Sequence, residues 1–190
     1  MTKEEAFEKL RDKGLSLKEV FEIYEKFGGE IDGAVAMNLS MRTSVYERGE
    51  KADELMIKLL KKLAASEDMS ARWAVAKNPF TPVSVLKELC KDPVNLVRAL
   101  CATNPDTPVE CLEKFFEDEK IVRDGLSGNP STPVKYLSLL AEDEDKMVRL
   151  RVAENPSSTE EILKKLLNDN DKDVAKAAEI RIRKLKGEKS

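Results

Sequence analysis

The chain has 190 residues, of which 41% are apolar, 36% charged and 5% aromatic, with a net charge of -3 and no His. That balance supports a continuous core among helices with solvated outer faces; it argues against a strongly basic surface, and the lack of His removes Ser-His and Cys-His nucleophiles. No run of about 18 apolar residues is available to span a membrane, and the charged start MTKEEAFEKLRDKG lacks a signal-peptide apolar run, so cytoplasmic residence is expected.

Two short helices are predicted first, each opened by a capping box, Thr2-x-x-Glu5 and Ser16-x-x-Glu19, and Gly28-Gly29 stops the second. The segment Lys13–Gly29 resembles the first half of a helix-turn-helix. Its Glu19, Glu22 and Glu25 would repel phosphate, however, and no basic recognition helix follows. Next, AVAMNLS at 34–40 echoes AVAKNPF at 74–80, which reads as a degenerate first repeat carrying an insertion near Met41–Asp53.

The phrase Asn-Pro-x-Ser/Thr then recurs from Asn78, Asn104, Asn129 and Asn155, in steps of 26, 25 and 26 residues. Such a period marks a stacked repeat protein. Asn tolerates a left-handed helix end and the Pro after it cannot continue a helix, so the pair is expected to stop each second helix. Thr81, Thr107, Thr132 and Ser158 are expected to cap the next helix, with Pro82, Pro108 and Pro133 in its first turn. Glu110 and Glu161 would complete capping boxes.

Leu86, Leu112, Leu137 and Leu163, with Leu89, Phe115, Leu140 and Leu166 three residues on, form the core stripe of the first helix. Val97, Val122, Val148 and Val174 belong to the second helix, as do Val75, Cys101, Leu126 and Val152 and the small column Ala76, Ala102, Ser127 and Ala153. Two columns share no chemistry and are expected to face solvent or a partner: Trp73, Ala99, Asp124, Leu150, and Ala74, Leu100, Gly125, Arg151. After Val174 the phrase decays to AKAAEIRIRKLKGEKS, predicting one helix to about Lys186.

The predicted organisation is therefore N-terminal capping helices at 1–30, a degenerate first repeat with an insertion at 31–70, four regular repeats at 71–173 and a C-terminal capping helix at 174–190. The columns VR…NP.TP…L..L resemble the leucine-rich repeat variant family over about residues 71–174. That resemblance implies an all-α, right-handed α-solenoid superhelix of about 25-residue two-helix repeats, with an α-helix and a shorter helix that can be 3-10 in character. It implies no catalytic activity. Some family members carry an N-terminal iron–sulfur domain, but residues 1–70 contain no Cys, so no cluster is carried over. HEAT repeats, whose second helix also opens with Val-Arg after an acidic turn, are the structural alternative.

The most suggestive feature beyond the fold is an Arg column: Arg72, Arg98, Arg123 and Arg149. Stacked guanidinium groups could engage a polyanion. The alternative, which we prefer, pairs each Arg with the acidic turn just before it, such as Asp92, Asp118 and Glu119, or Asp143 to Asp145. Trp73 is read as packing against the N-terminal helices or, if exposed, as an interface anchor. Lys176, Arg181, Arg183, Lys184, Lys186 and Lys189 make the last helix basic, as the helix dipole favours. Cys90, Cys101 and Cys111 sit in apolar columns and read as buried thiols, so no cofactor or metal is expected. Absence of His and Gln with abundant Lys and Glu is a bias of proteins from high-temperature organisms. The expected partner is another protein. Nucleic acid or a phosphorylated ligand, bound through the Arg column and the basic helix, is the alternative.

Overall fold

The computed structural model describes residues 1–12, 14–43 and 53–187, and among them the secondary structure is all helical. Two compact units are formed, Met1–Val97 and Arg98–Ser190.

In the first unit, α1 (Lys3–Leu10) and α2 (Leu17–Phe27) open with the two expected capping boxes, and Gly28, at φ 57°, ends α2. A 3-10 turn (Gly28–Ile31) leads into α3 (Asp32–Arg42). After the segment 44–52, where most of the predicted insertion lies outside the described residues, come α4 (Glu54–Leu63), α5 (Met69–Lys77) and α6 (Val83–Leu89). α3 lies along α5, and α1, α2 and α4 cover α3. Leu10, Val20, Ile31, Val35, Leu39, Leu59 and Leu63 are buried here, joined by Val75 and Leu86 from the first well-formed repeat. Asn38 does not stop its helix. With Leu39 rather than Pro following it, α3 runs on to Arg42.

The second unit begins inside α7 (Asn95–Thr103) and continues through α8 (Val109–Phe115), α9 (Lys120–Gly128), α10 (Val134–Leu140), α11 (Lys146–Glu154), α12 (Glu160–Leu166) and α13 (Lys172–Leu185). α9 packs on α11 and α11 on α13, while α8, α10 and α12 each pack beside their own repeat's second helix. This is the layering of an α-solenoid. Leu112, Phe115, Val122, Leu126, Leu137, Leu140, Val148, Val152, Leu163, Leu166 and Val174 fill the seam and are at most 2% exposed. The shorter helix of each regular repeat is the first, at 7 residues against 9 in α5, α9 and α11, and both are α-helical. Asp68 and Asp145 cap the second helices α5 and α11, which helps to keep them in α geometry.

The Asn-Pro-x-Thr phrase works differently from the expectation. Asn78, Asn129 and Asn155 end their helices in extended conformation (φ -69°, -75° and -63°), not left-handed. Each uses its side chain instead. The Asn129 amide donates to the carbonyls of Ala102 and Asn104 at 2.7 and 2.8 Å, and that of Asn155 to the carbonyls of Ser127 and Asn129 at 2.7 and 2.9 Å. Their Oδ1 atoms accept the backbone N–H of Ser131 and Ser157.

The hydroxyl column is also reassigned. Thr81, Thr107, Thr132 and Ser158 donate at 2.6 Å to the carbonyls of Val75, Cys101, Leu126 and Val152, six residues back. Each hydroxyl therefore closes the helix that has just ended, as a second donor to a last-turn carbonyl that also accepts the N–H of the column Asn. Pro82, Pro108 and Pro133 become the N-caps, without a side-chain cap bond, and in the last repeat Thr159 caps through Ile162 N–H. The boxes predicted through Glu110 and Glu161 do not form, because their hydroxyl partners face the other way.

Candidate functional site

Every Arg of the column is engaged with an Asp 20 residues later in the chain. Arg72 Nε lies 2.6 Å from Asp92 Oδ2, Arg98 Nε 2.7 Å from Asp118, Arg123 Nε 2.7 Å from Asp143 and Arg149 Nε 2.7 Å from Asp169. The second carboxylate oxygen accepts from the terminal nitrogen, at 3.3, 2.8, 3.3 and 3.0 Å respectively. This is the two-pronged fork that Arg offers a carboxylate.

The acidic partner is thus the turn of the next repeat, not the turn just before. The preceding turn contributes backbone: Arg72 Nη1 donates to the carbonyls of Ser66 and Glu67, Arg123 Nη1 to Asp118, and Arg149 Nη1 to Asp143 and Glu144. The Arg72, Arg123 and Arg149 guanidinium groups thus each bridge two successive turns. The Arg side chains are only 12–19% exposed.

These bonds shift the ionisations in the matching direction. The Arg149 fork, followed by Asp171 N–H, holds the Asp169 carboxyl below the ordinary carboxylate range against the opposing effect of burial; Arg98 does the same for Asp118. Conversely, Arg72, Arg123 and Arg149 are held above the ordinary Arg value by their Asp partners. A second pair of contacts runs alongside in the second unit. Lys120 Nζ reaches Asp145 at 3.2 Å and Lys146 Nζ reaches Asp171 at 2.9 Å. The Asp145 carboxyl is lowered chiefly by accepting Met147 N–H, and that of Asp171 chiefly by Lys146.

Sequence alone could have oriented the Arg–Asp pairs. In a 26-residue period, an Asp six residues before one Arg is also 20 after the previous Arg, so interior repeats are ambiguous. The ends are not. Ser66 stands in the Asp column before Arg72, and Ala175 stands in the Arg column after Asp169. An Arg without a preceding Asp, and an Asp without a following Arg, require pairing forward along the chain.

At the N-terminal end, Asp32 occupies the Arg column. It is 5% exposed, and one carboxylate oxygen has no hydrogen-bond partner. Tyr24 lies against it, and burial together with the Asp32 charge raises the Tyr24 hydroxyl above its ordinary range. Asn38 retains the fastening role of its column by donating to the Leu10 carbonyl at 2.7 Å.

The variable columns are mixed in exposure. Trp73 is 37% exposed with Lys77 Nζ 5.5 Å from its ring centroid, whereas Ala74 beside it is buried. In the second unit Ala99 and Gly125 are buried, Leu100, Asp124 and Leu150 are half-buried, and Arg151 is exposed. Arg151 Nε lies 3.8 Å from Asp124. Ile121 and Met147, at 40% and 39% exposure, place two further apolar groups at the start of α9 and α11. A Cβ on Gly125 would sit 2.6 Å from the Ala99 carbonyl oxygen, so this column is also where α7 and α9 approach closely.

The basic face of α13 is partly occupied. Arg183 pairs with Glu179, and Arg181 donates to the Pro156 carbonyl at 2.9 Å, while Lys176, Lys184 and Lys186 are exposed. Cys101 and Cys111 are buried and Cys90 is half-buried, all as free thiols. Among the described residues no cluster of metal-ligating side chains occurs and no helix is long and apolar enough to cross a membrane.

No protein-family model and no curated protein matches this chain. Among solved structures it is similar to a leucine-rich repeat variant with a novel repetitive protein structural motif, at 18% identity and a TM-score of 0.36, over 90% of this chain and 88% of the other.

Proposed function

We propose that the protein is a non-enzymatic scaffold that binds another protein through exposed positions of its second helices that vary from repeat to repeat. The observation that supports this reading is the division of labour within the repeat. The constant polar groups, Arg, Asp and Asn, spend their hydrogen bonds on neighbouring repeats. What is left at the surface is a shared apolar column, Ile121 and Met147, beside side chains that differ between repeats, Asp124 in one, Leu150 and Arg151 in the next. Met and Arg are among the residues enriched in protein interfaces, and Met147 and Arg151 are both exposed here.

The polyanion alternative would require the Arg groups to leave buried carboxylates, which strands a charge at a cost of about 3–5 kcal/mol per broken pair. The test has two arms. In gel shifts with duplex and single-stranded nucleic acid across a salt series, no complex is expected even at low salt; binding that weakens steeply with salt would replace this reading with the alternative. In affinity purification from the native organism, a protein retained by the wild type should be lost with the Leu150→Asp/Arg151→Glu variant. Retention by that variant would exclude the second-helix face of this unit.

A further inference from the structure

Each compact unit has a terminal helix that buries one stripe and exposes the opposite side. In the first unit α1 packs on α2 and α3 and buries Ala6 and Leu10; in the second α13 packs on α11 and α12 and buries Val174, Ala178 and Ile182. The two exposed sides carry opposite charge. Glu4, Glu5 and Glu8 lie on that of α1, Asp12 stands just past its end, and Arg11 is taken up by Glu8 at 2.8 Å. A shallow hollow of about 550 Å³ opens here, lined by Met1, Glu4, Glu5, Glu8 and Lys9. On α13, Lys172, Lys176, Ile180 and Lys184 recur at four-residue spacing on the side opposite the buried stripe, and all are exposed, Ile180 at 39%. Asp173 shares this side, and Arg183 there is paired with Glu179.

We propose that the exposed side of α13 docks on the exposed side of α1 of a second copy of this chain, with Ile180 entering the hollow between the carboxylates. Lys176 and Lys184 are about 12 Å apart along their helix, the length of the eight-residue α1, so both fall on acidic side chains when Ile180 sits at its middle. A phosphate backbone would satisfy the Lys groups but leave Ile180 uncovered and Asp173 opposed, whereas α1 offers carboxylates together with space for one apolar side chain. The two surfaces differ, so the contact is head-to-tail and association can continue beyond two copies. An eight-residue helix gives a contact at the low end of interface size, under about 1,200 Å². Its ion pairs are exposed, so the association is weak and falls with salt.

Sedimentation equilibrium of the full chain at low salt, over a concentration series reaching about 1 mM, tests this. The average mass should rise with concentration and return toward that of one chain on adding about 1 M salt. Glu4→Lys/Glu8→Lys and Lys176→Glu/Lys184→Glu should each abolish the rise. An equimolar mixture of these two variants should form pairs and nothing larger, because the first contributes only its intact α13 and the second only its intact α1. That pairing needs neither altered helix, so it survives even if a substitution disturbs the helix that carries it. A wild-type chain that stays single throughout, association by either variant alone, or a mixture that forms no pairs or grows beyond them would each overturn the proposal.

Discussion

Replacing Asn155 by Gly separates two accounts of the repeated Asn-Pro phrase. If Asn served only as a residue tolerant of a left-handed helix end, Gly would do the same or better. The backbone at Asn155 is extended, with φ -63° and ψ 128°, so conformational freedom has no use there. What Gly removes is one side chain, 1% exposed at this position, that donates to two carbonyls and accepts from Ser157 N–H at 2.8 Å. The Asn129 carbonyl keeps a bond from Thr132 N–H. The Ser127 carbonyl and the Ser157 amide lose their Asn155 bonds, and each buried group left unpaired costs about 1–3 kcal/mol. The expected loss is about 2–4 kcal/mol, which at a urea slope of about 2 kcal/mol/M moves the unfolding midpoint down by about 1–2 M. Asn155→Asp should fall in the same range, because it still accepts from Ser157 N–H but cannot donate to the carbonyls. A midpoint for Asn155→Gly within about 0.3 M of wild type would refute the fastening role.

Three further expectations follow from the geometry. Arg149→Met should cost about 3 kcal/mol by leaving Asp169 buried and unpaired. The penalty depends on pH: the folded Asp169 carboxyl lies below its unfolded value near 3.9, so the pair stabilises fully above that value and the contribution fades as pH falls through the folded one. Urea midpoints of the two proteins should therefore converge below about pH 3.9; a gap unchanged at pH 3 would contradict this. Gly125→Ala should destabilise by about 1–3 kcal/mol despite the higher helix propensity of Ala, since the added methyl meets the Ala99 carbonyl oxygen at 2.6 Å; a gain in melting temperature would show that α9 moves out freely. Trp73, 37% exposed as a residue, should emit at long wavelength and be quenched by iodide. A blue, unquenched spectrum would place it in the core.

The helices and their core columns were legible in the sequence because they depend on local spacing: Leu137 and Leu140, or Val148 and Val152, share a face by helical period alone. The roles of the constant polar residues were not, because they depend on which atoms of the adjacent repeat lie within reach. Asn is suited to a helix stop by its backbone tolerance and to a cross-repeat bond by its amide, and only the observed backbone, with negative φ and ψ of 123° and 128°, decides between them. Thr107 could cap forward to Glu110 or close back to Cys101, three residues one way and six the other. In the Arg column the ambiguity is arithmetic, and only Ser66 and Ala175 at the two ends break it. The partner-binding face was least legible, since a variable column is defined by the absence of a shared rule.

A double-mutant cycle on Arg123 and Asp143 probes most directly whether the constant columns fasten one repeat to the next. Unfolding free energies of the wild type, Arg123→Met, Asp143→Asn and the double variant give the coupling between two groups 2.7 Å apart and 20 residues apart in sequence. The fastening account predicts a coupling of about 2 kcal/mol, with the double variant little worse than Arg123→Met alone. Additive losses, with coupling below about 0.3 kcal/mol, would contradict it and return the Arg column to the surface as a candidate binding site.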